Sequence, residues 1–318
     1  MSRASIAPEV LASCPAASCI GRQAYVRMTC AGHPVTWTVH SSYRGAINVQ
    51  TGQGLVCFVP IEAGRGPLNI NIDSKALSDV GYPKPGTRLV FDDGTITFED
   101  GQRVSLADSE VWEPTGLFRR PVFNEKLVGR NISCAREVAM LLGQMAGVGE
   151  LMDVRYGAPT ANLNAFSRAA LPNVVSLFQA VRSGDFVGAE KATGGLVGLG
   201  PGLTPSADDM LSGIMVSLVL GSRNGVGFEG ISEFTSRIAA VSRSRTSTLS
   251  REFLVQAAAG RANERLLRLV EALYTGTTSE VRDATIDVIR IGHTSGTDMT
   301  AGVILGAGTA VTLGGWAA

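Results

Sequence analysis

The chain has 318 residues, of which 45% are hydrophobic and 18% are charged, and its formal net charge is zero. Because no run of Lys or Arg stands out either, there is no electrostatic reason to expect nucleic acid or an anionic membrane as a partner. The length favours two domains over one large domain, and the hydrophobic content allows a substantial core.

The cysteines and the first residues indicate a cytoplasmic protein. The five cysteines are odd in number and unevenly spaced, which favours reduced thiols over a disulfide framework or a zinc site. The first residues carry Arg3 and Glu9 and lack the continuous apolar stretch of a secretory signal.

Residues from about 20 to 115 have the pattern of short β-strands. Val35–Val39 alternates apolar and polar residues, and further apolar runs end at Gly or Pro. Asp93-Gly94 and Asp100-Gly101 are typical of tight hairpin turns. Seven or eight strands at this spacing predict a small barrel or sandwich over residues 20–118.

From about residue 124 onward the apolar spacing becomes helical. Residues 132, 135, 138, 139 and 142 share one helix face, and similar faces recur later. The pattern predicts seven to nine helices over residues 119–318, so the fold class is α+β, with a β-rich N-terminal domain before a mostly α-helical one. Met299–Ala318 carries no charge, and its many glycines favour a buried helix over a membrane span.

One glycine-rich segment, Gly198–Gly213, leads into an apolar helix. Its sequence, GLGPGLTPSADDMLSG, places Ser206 as a candidate N-cap with Asp209 at the capping-box position. A glycine cradle at the positive end of a helix favours phosphate or carboxylate ligands. The spacing matches neither the Walker loop nor the GxGxxG fingerprint.

A second segment, Gly292–Gly302, repeats part of this pattern. With Asp209 set over Asp298, SADDMLSG aligns with SGTDMTAG, and both run into an uncharged helix. We expect the two helices to pack closely, antiparallel or crossing at their glycines, which would bring both hydroxyl-and-carboxylate ends to one pocket. In the alternative interpretation, each motif only caps its own helix and the glycines only allow close packing.

A third candidate is the run of Ser, Arg and Thr from 242 to 250. Guanidinium and hydroxyl groups at a helix start form a good clamp for an oxyanion or phosphate. The alternative is a solvated loop with an N-cap at Thr248 or Ser250.

These segments supply the candidate site residues. The candidate catalytic residues are Asp208, Asp209 and Asp298, which would orient an attacking group, and His293, which would transfer a proton near neutral pH. No cofactor is expected, but a divalent cation between the carboxylates and a phosphate is possible and the metal requirement stays open. The candidate substrate-binding residues in the helical domain are Gly200, Gly202, Thr204, Ser206, Arg245, Thr246, Thr294, Ser295 and Gly296.

The chain resembles a bacterial family that was long known only as a domain of unknown function and was once named as a carboxylase. Its best-assigned member is the AllH subunit of oxamate carbamoyltransferase. The resemblance is most specific in the GLGPGLTPSxDD string, and the Ser-Gly-x-Asp element near the end supports it. It extends over residues 45–305, including the strand with Asn48, which is an additional candidate for substrate binding. The four matching segments of the helical domain are Gly198–Gly213, Arg245–Ser250, Ala257–Glu264 and Gly292–Gly302.

The resemblance implies a subunit that works with two other protein types, one of them similar to acyl-CoA synthetase subunits. Together they would move a carbamoyl group between phosphate and oxamate, or a related amide, in purine and allantoin breakdown. The alternative is a non-catalytic ligand-binding or scaffold subunit of the same complex. A carboxylase ranks last, because the sequence shows no biotinyl or ATP-binding motif.

Overall fold

The computed structural model describes residues 14–30, 33–114, 124–156, 162–227 and 229–314. The chain divides into two compact units, residues 1–113 and 114–318, each of which is described by itself.

The N-terminal unit is built on one curled nine-stranded sheet that forms a half-barrel, with the order β8-β7-β6-β2-β3-β4-β5-β1-β9. Ala16, just before β1, bridges Ser105 in β8, so the two ends of the sheet approach each other. This confirms the barrel form of the β-rich prediction rather than the sandwich. The strands are β1 (Ala17–Gly21), β2 (Val35–Tyr43), β3 (Ala46–Thr51), β4 (Gly54–Pro60), β5 (Asn69–Ile72), β6 (Arg88–Asp92), β7 (Thr95–Phe98), β8 (Arg103–Ser105) and β9 (Glu110–Trp112).

Both predicted hairpin turns are present. Asp93 and Gly94 adopt φ of 41° and 70° and connect β6 to β7, which pair antiparallel. Two positive φ angles in a two-residue turn match the twist of the flanking strands, which is why Asp-Gly is favoured there. Asp100 and Gly101 lie in the longer connection between β7 and β8, which also pair antiparallel, and of these two residues only Gly101 has a positive φ, 89°.

The N-terminal unit also contains two short helices that the sequence pattern did not predict. They are α1 (Arg22–Thr29) and α2 (Ser74–Val80). The side chain of Asp73 caps α2 by accepting hydrogen bonds from the Lys75 and Ala76 amides. Both helices are only about two turns long, too short for a helical period to stand out among strands.

The described part of the C-terminal unit contains nine α-helices, at the upper end of the predicted range. No helix within the described ranges is both long enough and apolar enough to cross a membrane. The helices are α3 (Glu125–Leu142), α4 (Ala165–Ser183), α5 (Phe186–Gly194), α6 (Ser206–Arg223), α7 (Ile231–Val241), α8 (Thr248–Ala258), α9 (Glu264–Thr275), α10 (Thr278–Ile289) and α11 (Ser295–Gly314).

Helices α6 and α11 form the centre of this unit and cross at their glycines. A Cβ atom on Gly213 would overlap the carbonyl oxygen of Met299, and one on Gly302 would overlap that of Met210. These four residues occupy equivalent positions in the two aligned motifs, so the contact is reciprocal. The close packing at the glycines confirms the prediction from the near-repeat.

The two central helices run in the same direction. Gly302 lies against Met210 and Gly213, and Gly306, one turn later, lies against Ile214 and Ser217. Contacts that advance together along both helices mean that the helices are parallel, so the antiparallel alternative is wrong. Both helix N-termini therefore lie at the same end of the pair.

Candidate functional site

The starts of α6 and α11 converge on one cluster of hydroxyl and carboxyl groups. Thr204 Oγ1 donates a hydrogen bond to Asp209 Oδ2 over 3.0 Å and lies 3.3 Å from Ser295 Oγ. Ser295 also hydrogen-bonds Asp209. These contacts join segments about 90 positions apart in the chain, so the predicted convergence is confirmed. We call this cluster the paired helix starts; it consists of Thr204, Ser206, Asp209, Thr294, Ser295 and Asp298.

The serine of each motif faces the aspartate of the other motif. Ser295 bonds Asp209, and Ser206 lies beside Asp298, close enough to lower the pKa of that carboxyl. Ser206 Oγ and Asp298 Oδ2 both face Gly147, although neither makes a hydrogen bond of standard geometry within the described residues. The two copies of the near-repeat therefore pair with each other, because each helix places its serine beside the aspartate of the other helix.

This pairing corrects the predicted capping box at α6. The N-cap position is Pro205, which has no side-chain cap, and Ser206 is the first helical residue. Thr204, the other predicted cap, donates its hydroxyl to Asp209. Because Ser206 already lies inside the helix and Thr204 bonds a side chain instead of a backbone amide, the locally plausible Ser-x-x-Asp box does not form.

Asp209 is the carboxyl group that the burial affects most. Its side chain is only 6% exposed, and desolvation raises its pKa well above the ordinary value. Hydrogen bonds from Ser295 and Thr204 lower the pKa, but the charges of Asp298 and Asp208 raise it further. The net effect is a pKa well above that of an ordinary aspartate.

Asp298 lies deeper and is held by backbone amides. Burial raises its pKa to about 6, and the nearby hydroxyls of Ser206 and Thr294 and amides of Val148 and Gly149 lower it. The Val148 amide donates to Oδ1 over 2.7 Å. Asp298 is thus mostly ionised at neutral pH.

Asp208 points away from this cluster and ties α8 to the glycine loop. Its Oδ1 accepts the Gly198 amide at 2.8 Å, and its Oδ2 accepts hydroxyl hydrogen bonds from Thr246 and, at 2.6 Å, from Ser250. Both carboxylate oxygens are therefore engaged within the chain. The proposed catalytic role of Asp208 stays a prediction, and its contacts are those of a residue that positions the loop.

The Ser, Arg and Thr run also fastens this loop. Arg245 donates to the Gly194 carbonyl oxygen at 2.9 Å. Ser247 caps α8 and donates to the Leu203 carbonyl oxygen at 2.6 Å, so the predicted N-cap at Thr248 or Ser250 is wrong by one or more positions. The Thr246 hydroxyl donates a hydrogen bond to Asp208. Residues 242–250 therefore hold the glycine loop in place through hydrogen bonds.

The glycine loop folds back over the start of α6. Gly198, Gly200 and Gly202 have φ of 83°, 117° and 97°, a region that other residues rarely adopt. A Cβ atom on Gly200 would also lie 2.7 Å from the Ser206 amide nitrogen. Glycine at these positions lets the loop bring its backbone against the positive end of the helix.

A second glycine-rich loop, Gly143–Gly149, completes the site and was not predicted. The Gln144 amide donates to Thr297 Oγ1 at 2.9 Å, and Gly147 packs directly against Asp298. The signal was present in the sequence as GQMAGVG directly after the α3 pattern. Without a neighbouring Ser-x-x-Asp it did not stand out as functional.

Three other predicted site residues either lie apart from the carboxyl cluster or contribute to packing. His293 is exposed and lines a shallow cavity together with Leu142, Ile289 and Arg290, and none of the three aspartates lines that cavity. Gly296 packs against the backbone of α10 at Val288. Asn48 belongs to the N-terminal unit, where it is buried in β3 and donates to Ser41.

The described residues contain no group of three or more His, Cys, Asp or Glu side chains that is placed to hold a metal ion. What the paired helix starts can do is bind a small polar ligand. Two parallel helix N-termini each contribute roughly half a positive charge at the same end. Thr204 and Ser295 are partly exposed and lie over the buried Asp209, so a ligand would meet the hydroxyls first.

Comparison with known families matches both parts of the chain. Residues 15–111 match the AllH family N-terminal domain, and residues 196–307 match the family described as oxamate carbamoyltransferase subunit AllH. No solved structure gives a significant match. The second match contains the glycine loop and both central helix starts. Since the two matches together cover most of the chain, the protein belongs to the AllH family.

Proposed function

We propose that this chain binds the substrates of carbamoyl transfer at the paired helix starts and supplies groups that act in the reaction. The observation that supports this most is the reciprocal contact of Ser295 with Asp209 and of Ser206 with Asp298. Each helix could satisfy its own start locally, yet both direct their polar side chains to a shared cluster. The family description supplies the reaction, transfer of a carbamoyl group with oxamate as a substrate.

In the direction of synthesis, the amide nitrogen of oxamate attacks the carbonyl carbon of carbamoyl phosphate. A C–N bond forms, the C–O bond to phosphate breaks, and the nitrogen loses a proton. The helix N-termini and the backbone amides of the glycine loop would stabilise the charge on the departing phosphate. Thr204 and Ser295, at the accessible edge, would hold the ligands in line.

Asp209 is suited to contact the reacting groups. A carboxylate close to a phosphate would repel it by several kcal/mol in a poorly solvated site, of order 4 kcal/mol at 4 Å and an effective dielectric of 20. The raised pKa of Asp209 favours its protonated form, which lacks this repulsion. Protonated Asp209 would give its proton to the leaving phosphate oxygen, and the carboxylate that results would take the proton that the amide nitrogen loses, while Asp298 fixes the start of α11.

Replacement of Asp209 by Asn tests this role. Asn has the shape of the neutral carboxyl group, so the fold should persist, but it cannot transfer a proton. We expect turnover in the complex reconstituted with its partner subunits to fall by about 100-fold or more. Asp283→Asn, at an exposed position of α10, serves as the matched control and should leave turnover unchanged. Turnover near that of the unaltered complex in Asp209→Asn would refute the assignment.

A second candidate function is a ligand-binding or scaffold subunit whose partners carry the chemistry. The contacts of Asp208 favour this alternative. Both of its carboxylate oxygens accept hydrogen bonds from donors within the chain, as expected of a structural residue. Under this hypothesis the chain alone binds carbamoyl phosphate or oxamate in calorimetry, but Asp209→Asn leaves turnover intact. Titrations with and without Mg²⁺ would show whether a cation takes part.

The setting we propose is the cytoplasm, within purine and allantoin breakdown. None of the five cysteines, all of which lie within the described ranges, forms a disulfide bond, which suits a reducing compartment. The partners would be two other protein types, one of them similar to acyl-CoA synthetase subunits. This assignment of partners follows from the family resemblance.

A further inference from the structure

An exposed apolar corner lies at the end of α3, next to the second glycine loop. Met140, Leu141 and Leu142 follow one another there, and the side chain of Leu141 is 81% exposed. Three consecutive exposed large apolar side chains are costly to leave in water, at roughly 25 cal/mol for each Å² of apolar surface. A partner surface that covers them would recover this free energy.

The last of these three residues, Leu142, also lines a cavity of about 430 Å³ between the ends of α3 and α10. One part of the cavity wall is apolar and consists of Leu142, Ile286 and Ile289. Another part is basic and consists of Arg290 and His293. Among the residues that the structure describes, no acidic side chain lines the cavity. A guest that fits this chemistry has a large apolar side chain next to a carboxylate group.

We propose that this corner docks a partner subunit of the transferase, which inserts a large apolar side chain flanked by an acidic residue into the cavity. The name "α3 corner" is used for its residues: Met140, Leu141, Leu142, Ile286, Ile289, Arg290 and His293. The proposal rests on membership of a family described as a subunit, which requires a partner protein, and not on the catalytic assignment of Asp209. It assigns His293 to recognition of the partner rather than to proton transfer.

Docking at the α3 corner would act on the paired helix starts through one short segment. Leu142 is directly followed by the loop Gly143–Gly149, whose Gln144 amide bonds Thr297 and whose Val148 amide bonds Asp298. On the other side, His293 lies two residues before Ser295. A partner bound here would restrain both the loop Gly143–Gly149 and the start of α11. Its binding would therefore affect the positions of the carboxyl groups in the paired helix starts.

The test measures assembly of the chain with the other purified transferase subunits by sedimentation velocity. We expect Leu141→Gln and, separately, Arg290→Glu to weaken association at least tenfold. Both positions are exposed, so the substitutions should not disturb folding. The matched control is Val187→Gln on α5, which also replaces a highly exposed apolar side chain, at 71% exposure, and should assemble normally.

Unchanged assembly in both α3-corner variants would overturn the proposal. So would self-association of the purified chain that Leu141→Gln abolishes while binding of the other subunits persists, because the occupant would then be a second copy. Calorimetry with carbamoyl phosphate on the Leu141→Gln chain alone separates this proposal from the function proposed above. Lost assembly with retained ligand binding supports the docking face whether or not Asp209 proves catalytic.

Discussion

At the scale of single residues, the two carboxyl groups of the paired helix starts differ because their surroundings differ. Asp298 accepts hydrogen bonds from the Val148 and Gly149 amides, which partly offset its burial. Asp209 receives only hydroxyl groups and lies near two other acids, so less offsets the rise in its pKa that burial causes. A difference in surroundings between two neighbouring carboxyls is the usual basis for assigning acid and base roles.

The raised pKa of Asp298 predicts a specific dependence of stability on pH. Burial raises the pKa from an ordinary value near 4 to about 6, so the folded protein holds this proton more tightly than the unfolded chain does. The contribution of Asp298 to the free energy of unfolding is therefore largest below pH 4, decreases as pH rises to about 6, and is then level. The decrease is about 3 kcal/mol.

Urea unfolding of the wild-type protein and of Asp298→Asn at several pH values between 4 and 7.5 measures this difference. Asn cannot titrate, so the variant should lack that decrease, and the difference in the free energy of unfolding between the two proteins should change by about 2 kcal/mol between pH 4 and 7.5. Asp283→Asn controls for the loss of an exposed carboxylate. Parallel curves for wild type and Asp298→Asn would show that Asp298 keeps its ordinary pKa.

At the scale of elements, the crossing of α6 and α11 determines where the site lies. Gly213 and Gly302 let the two backbones touch, and the parallel direction brings both N-termini to the same end. The near-repeat in the sequence predicted the crossing, because glycine at equivalent positions of two uncharged helices favours close approach. It could not predict the direction, since either orientation brings the two glycines together.

Gly302→Ala tests the crossing. The new methyl group would overlap the Met210 carbonyl oxygen, which the backbone of α6 holds in place, so the helices must move apart. We expect a loss of about 1–3 kcal/mol in the free energy of unfolding. Gly129→Ala makes the same chemical change in α3, where nothing lies within 4 Å, and should stabilise the protein by about 0.5–1 kcal/mol. Equal stability of the two variants would mean that the helices do not touch at Gly302.

At the scale of the whole molecule, periodicity in the sequence was enough for the fold class, a curled β-sheet followed by helices. The strands alternate with a period of two and the Asp-Gly turns are local, so both can be predicted from short segments. The convergence of the two motifs was also predictable, because their likeness indicates equivalent packing.

The remaining parts of the site depend on contacts between distant segments. Asp208 and Asp209 are adjacent in sequence, yet one bonds Ser250 in α8 and the other Thr204. Their different orientations follow from the helical turn of about 100° per residue, but the identity of the neighbour that each side chain meets does not. The loop Gly143–Gly149 and its bond to Asp298 likewise require the tertiary structure.

The central claim is that two distant helix starts form one ligand site. Calorimetric titration of the purified chain with carbamoyl phosphate tests it in four forms: wild type, Thr204→Val, Ser295→Ala and the double variant. The account predicts that each single substitution weakens binding about tenfold. Because the two hydroxyls lie 3.3 Å apart, it also predicts that the double variant loses clearly less than the sum of the two losses. Binding by both single variants with the affinity of the wild type would contradict it.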